Sequence, residues 1–134
     1  MAIFNNSSHC KYLLQYHIVW CPKFRYSVLN QAVEPVLKDC LLHIATRYGY
    51  EIKVMEVMPD HIHLLVATKP TVAPTDVVRT LKSLSAIELF SQFPELKKFY
   101  GRCGLLWSKG YFVSTVGNVS QETLTAYILN QKIH

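Results

Sequence analysis

His61-Ile62-His63 sets two imidazoles one residue apart. Alternate side chains of a strand share a face, so His61 and His63 point one way while Ile62 and Leu64 point the other. Such a pair converges on one metal ion, or stands as two half-buried rings bonded to backbone or water. The spacing leaves both readings open. Longer metal motifs fail: position 65 is Leu, so no third alternating histidine follows, and Leu65-Val66 breaks an H-x-H-x-D-H pattern. A third ligand must come from elsewhere in the chain.

The C-terminal stretch offers one. Ser120 heads a predicted helix, with Gln121 and Glu122 suited to its first turn. Tyr127 and Gln131 lie four residues apart and share a face of that helix. Laid over the open side of a sheet, this face lets the Gln131 carboxamide oxygen complete a two-histidine-plus-amide site. Tyr127 then sits about one turn, roughly 6 Å, from that ligand. The same periodicity describes an aromatic packed on a sheet, and the chain has eight tyrosines. Spacing alone does not choose among them. Asp60, just before the pair, reads either as a carboxylate orienting a histidine or as a turn acid after Pro59. His17, mid-strand, reads as structural.

Candidate contacts to a phosphate backbone are Lys23 and Arg25 after the first strand, Arg79 and Lys82 three apart on a helix, and Lys109 and Lys132. Each cation alone also reads as a solvated surface charge. Phe24 and Tyr26 are aromatics of the kind that stack on unpaired bases.

The elements that must position these residues follow from periodicity. Tyr12 to Cys21 alternates as an aromatic and β-branched strand ended by Pro22. Asn30 to Tyr48 repeats helically through Val33, Leu37, Cys40, Leu41 and Ile44, with Asn30 as cap and Gly49 as stop. Glu51 to Met58 and His61 to Thr68 form a predicted hairpin around Pro59-Asp60. Asp76 to Phe90 is again helical, and Leu105 to Val116 reads as a strand interrupted near Lys109-Gly110. The order is β-α-β-β-α-β plus a C-terminal helix: an α+β, ferredoxin-like (split βαβ, RRM-like) antiparallel sheet with two helices on one face. Nothing divides the chain, so residues 1–134 are expected to form one domain.

Half of the 134 residues are hydrophobic and 17% are charged, which excludes a disordered or fibrous chain. The net charge of +5 permits a nucleic-acid partner without proving one. Cys10, Cys21, Cys40 and Cys103 show no zinc-ligand spacing and read as buried free thiols of a reducing compartment. No signal peptide and no membrane-spanning run is visible, so a cytoplasmic protein with no membrane partner is expected. No glycine-rich nucleotide loop is visible either.

MPDHIHLLV (58–66), LWSKGYFVSTVG (106–117) and Tyr127-x-x-x-Gln131, with YHIVWCPKFR (16–25) and LKSLSA (81–86), resemble the single-tyrosine HUH transposases of the insertion-sequence 200/605 family. The resemblance runs in order through nearly the whole chain. It implies a metal-dependent enzyme that cleaves and rejoins single-stranded DNA at hairpin-bearing transposon ends through a 5′-phosphotyrosine. It assigns Tyr127 as nucleophile and His61, His63 and Gln131 as ligands of Mg²⁺ or Mn²⁺. It further implies a homodimer whose active sites are shared in trans. Two other readings stand beside it: a domesticated relative that processes repeated extragenic palindromes, and a non-catalytic RRM-like module for single-stranded nucleic acid. The last expects aromatics where the central strand carries His61 and His63.

Overall fold

Tyr16, Ile18 and Trp20 fall on one side of strand β1 (Leu14–Trp20) and are buried, as are Ile62, Leu64 and Val66 of β3 (His61–Thr68). The computed structural model describes residues 13–116. Strands β2 (Glu51–Met58) and β4 (Phe112–Thr115) complete a four-stranded sheet in the order β2-β3-β1-β4, with every neighbouring pair antiparallel. Helices α1 (Val33–Tyr48) and α2 (Pro74–Gln92) bury Val33, Leu37, Leu41, Val77, Val78, Leu81 and Leu89 in the same core as those strand residues. This is the expected α+β, ferredoxin-like arrangement.

Local chemistry fixes the element ends. The Asn30 side-chain oxygen accepts from the Ala32 and Val33 N–H groups, each at 3.0 Å, and satisfies two donors at the start of α1. Gly49 ends that helix at φ +79°, a conformation that glycine adopts without a Cβ penalty. Pro74 opens α2, where its missing N–H costs no helical bond. The turn at Pro59-Asp60 joins β2 to β3 with Met58 opposite His61.

Three expectations are corrected. The strand expected over Leu105–Val116 is confined to Phe112–Thr115. The preceding segment turns toward α2 instead: buried Trp107 donates from Nε1 to Ser85 Oγ at 3.1 Å and packs edge-on against Trp20. Among the described residues a single bridge, Pro22 with Trp107, continues the pairing there. A helix absent from the sequence reading, α3 (Pro94–Tyr100), follows α2 directly and buries Leu96 and Tyr100. Cys103 is exposed rather than buried, and Cys21 and Cys40 are half-buried. The helix expected from Ser120, with Tyr127, Gln131 and Lys132, and also Cys10, lie outside the described residues. Among the described residues no helix is long and apolar enough to cross a membrane.

Candidate metal and nucleic-acid site

The β3 register puts His63 opposite Val19 of β1 and Glu56 of β2, at the middle of the sheet. His61 begins the same strand, beside the Pro59-Asp60 turn. Because strand side chains alternate, both rings stand on the face opposite Ile62 and Leu64. Their centroids are 4.7 Å apart and nearly perpendicular. A third imidazole joins them: His17 stacks on His63 at 5.9 Å, and Phe112 meets His17 edge-on.

Asp60 holds the outer histidine. Its Oδ1 lies 2.6 Å from His61 Nδ1, and its Oδ2 accepts from Arg25 Nε at 3.1 Å. Partial burial alone would raise the Asp60 carboxyl, but the hydrogen bonds and charges of His61 and Arg25 outweigh it and hold the pKa below its ordinary value. With Nδ1 bonded to this carboxylate, the His61 ring is fixed in orientation and its Nε2 faces elsewhere. A carboxylate bonded in this way orients a metal-binding histidine toward its ion.

His63 is held neutral. Burial first, then the neighbouring charges of His61 and His17, push its pKa down to about 4. Among the described residues neither of its buried ring nitrogens has a hydrogen-bond partner. Such an orphan costs about 1–3 kcal/mol unless something binds it. A neutral imidazole with a free lone pair is what a divalent cation requires. The donor set therefore fits a metal ion but is incomplete: among the described residues no group of three or more His, Cys, Asp or Glu is arranged to hold one.

The basic candidates separate into three kinds. Lys23 and Arg25 flank exposed Phe24, with Lys23 Nζ 5.4 Å from its ring. Arg79 is exposed and pairs with Asp76 at 2.9 Å on the surface of α2. Lys82 faces inward, donating to Ser108 O at 2.6 Å and to the carbonyls of Lys109 and Gly110 at 3.4 Å. Burial lowers its pKa, countered in part by Cys21. It clamps the 108–110 loop onto α2, beside Lys109. A groove of about 440 Å³ lies along this seam, with Arg79, Lys82 and Lys109 in its wall.

Two contacts around the pair carry no local signal in the sequence. His17, expected to be structural, stacks on His63, and the β1–β3 register places it diagonally beside that ring. The Arg25–Asp60 link spans 35 positions and has no local signature.

The sheet order is that of a ferredoxin-like α+β domain, with the His-x-His pair heading its inner strand β3. The family model described as "Transposase IS200 like" matches residues 10–131, and the chain belongs to this family, the IS200/605 transposases. It is 43% identical over 121 residues to the ISDra2 transposase TnpA of Deinococcus radiodurans, covering 90% of this chain and 85% of that protein. It is 31% identical over 110 residues to the transposase for insertion sequence element IS200 of Salmonella typhimurium, covering 82% and 72% respectively. Among solved structures, a transposase from Deinococcus radiodurans R1 superposes with a TM-score of 0.77 at 40% identity, over 96% of this chain and 98% of that one. A REP-associated tyrosine transposase bound to a REP hairpin shares the fold, with a TM-score of 0.60 at 14% identity over 96% and 68%.

Proposed function

We propose that this transposase cleaves and rejoins single-stranded DNA at hairpin-bearing transposon ends, using Tyr127 as nucleophile. The observation that carries the reading is the paired His61 and His63: one neutral with orphaned nitrogens, the other aimed by Asp60. With Gln131 they would hold Mg²⁺ or Mn²⁺. Held there, a divalent cation would supply charge to polarise the scissile phosphate and offset the charge developing in the transition state. Tyr127 Oη forms the new bond to phosphorus as the bond to the 3′ oxygen breaks. The phenol proton leaves to solvent and the 3′ oxygen takes one up, giving a 5′-phosphotyrosine and a free 3′-OH. The covalent link retains the phosphodiester energy, so a second 3′-OH reverses the step onto a new strand.

Lys23, Arg25, Arg79, Lys109 and Lys132 are the proposed phosphate contacts, with Lys82 acting through the loop it clamps. The basic net charge supports a nucleic-acid partner, as does the hairpin bound by the REP-associated relative of this fold. Two ends must be cut and joined, which a symmetric homodimer with Tyr127 and Gln131 supplied in trans would accomplish. The test is incubation with single-stranded DNA carrying candidate ends, in Mg²⁺ or EDTA, followed by a denaturing gel. A covalent adduct in Mg²⁺ only is expected; an adduct of equal yield in EDTA overturns the metal-dependent reading.

A further inference from the structure

Phe24 and Arg25 are consecutive residues in the left-handed region, with φ of +62° and +55°. Neither is glycine, and side chains with a Cβ are strained there. Packing of the Phe24 ring does not explain the strain, because Phe24 is 64% exposed. The turn is pinned by its neighbours. Lys23 N–H donates to Leu106 O at 2.7 Å, Arg25 N–H donates to Pro22 O at 2.8 Å, and the hydroxyl of buried Tyr100 donates to Lys23 O at 3.0 Å. Strain held in place from several sides marks functional segments.

Two things result from this turn. Phe24 projects beside Tyr26, with ring centroids 5.6 Å apart, and Tyr26 meets Phe99 of α3 at 5.3 Å. All three rings are exposed, at 64%, 46% and 59%, so they form a continuous aromatic surface. Arg25 meanwhile reaches Asp60, which holds His61. Lys23 and Arg25 on this turn, Lys97 and Lys98 of α3, and Arg102 just beyond it outnumber Glu95 and Asp60. An exposed aromatic surface with a cationic surround suits a polyanion whose bases are unpaired. A folded protein partner would offer no unpaired base faces for these rings to stack on.

We propose that Phe24, Tyr26 and Phe99 form a stacking subsite for an unpaired base of the DNA strand, joined to the histidine pair through Arg25–Asp60–His61. The strained turn thereby fixes the strand relative to the reacting centre. This inference rests on the single-stranded substrate proposed above and adds where on the surface a base is gripped.

The test uses the full chain in EDTA with a fluorescein-labelled 20-mer of thymidylate, at low salt. Phe24→Leu should weaken binding roughly five- to hundredfold, the range for loss of one base–aromatic stack. Phe24→Trp should keep the parental affinity, and its tryptophan emission should be quenched by the oligonucleotide. Phe24→Gly, suited to the left-handed turn, should melt no lower than the parent yet bind as weakly as Phe24→Leu. Parental affinity in Phe24→Leu and Phe24→Gly, with unquenched Phe24→Trp, overturns the subsite while leaving adduct formation and the proposed function standing. A parent that neither binds the oligonucleotide nor forms an adduct on any single strand overturns both.

Discussion

Replacing His63 with Leu should make the protein more acid-resistant while destroying its activity. In the folded chain His63 titrates at about 4, against 6.5 for an unperturbed histidine. Its folded pKa is depressed, so the unfolded chain binds the proton more tightly. Its contribution to stability is therefore complete above pH 6.5 and is lost as pH falls toward 4. The linkage relation gives a loss of about 1.4 kcal/mol at pH 5.5, and the whole shift corresponds to about 3 kcal/mol. His63→Leu removes this proton and also the two orphaned ring nitrogens, so it should be no less stable than the parent at pH 7.5. Urea unfolding in EDTA at pH 7.5, 6.5, 5.5 and 4.5 measures the difference directly. The parent should lose stability more steeply across this window, by about 1–3 kcal/mol relative to the variant. Parallel curves for the two proteins would refute the argument that burial keeps His63 neutral.

Asp60→Asn should lower apparent metal affinity roughly 10- to 100-fold by loosening His61, with an unchanged fold by circular dichroism; an unchanged Mn²⁺ dependence of adduct yield would remove Asp60 from that role. Alanine at Lys23, Arg25 or Arg79 should each flatten the salt dependence of single-strand binding by roughly one unit, and slopes equal to the parent's in all three would move the DNA path elsewhere. Mixed dimers of a His61→Ala/His63→Ala chain with a Tyr127→Phe chain should regain adduct formation at one of their two sites. A mixed dimer verified by mass but without adduct would contradict the shared-site arrangement.

Much of this architecture is written in short-range periodicity. β2 and β3 show their bounds in the sequence because Pro59-Asp60 separates two β-rich runs. α1 is legible because Asn30 caps and Gly49 stops one apolar stripe. Residues 105–111 look just as β-like, but their course is decided by partners more than twenty positions away: Ser85 Oγ accepts a hydrogen bond from Trp107 Nε1, and Lys82 donates to the 108–110 carbonyls. The seven-residue α3 offers too few turns for a period to register. The His61/His63 pair could be read from strand parity alone, whereas adding His17 required the inter-strand register. The left-handed turn at Phe24 and Arg25 was illegible because neither residue type favours it. Tyr127 stood out from the other tyrosines only through family resemblance.

The most direct measurement is therefore on that tyrosine. The adduct formed on single-stranded DNA in Mg²⁺ is digested with nuclease and trypsin, and the modified peptide is sequenced by fragmentation mass spectrometry. Cleavage after Lys109 and Lys132 releases residues 110–132, which contain both Tyr111 and Tyr127. The account predicts a 5′-linked nucleotide on Tyr127 and none in the Tyr127→Phe variant. A nucleotide on Tyr111 or on any other residue, or an adduct of normal yield from Tyr127→Phe, would contradict it.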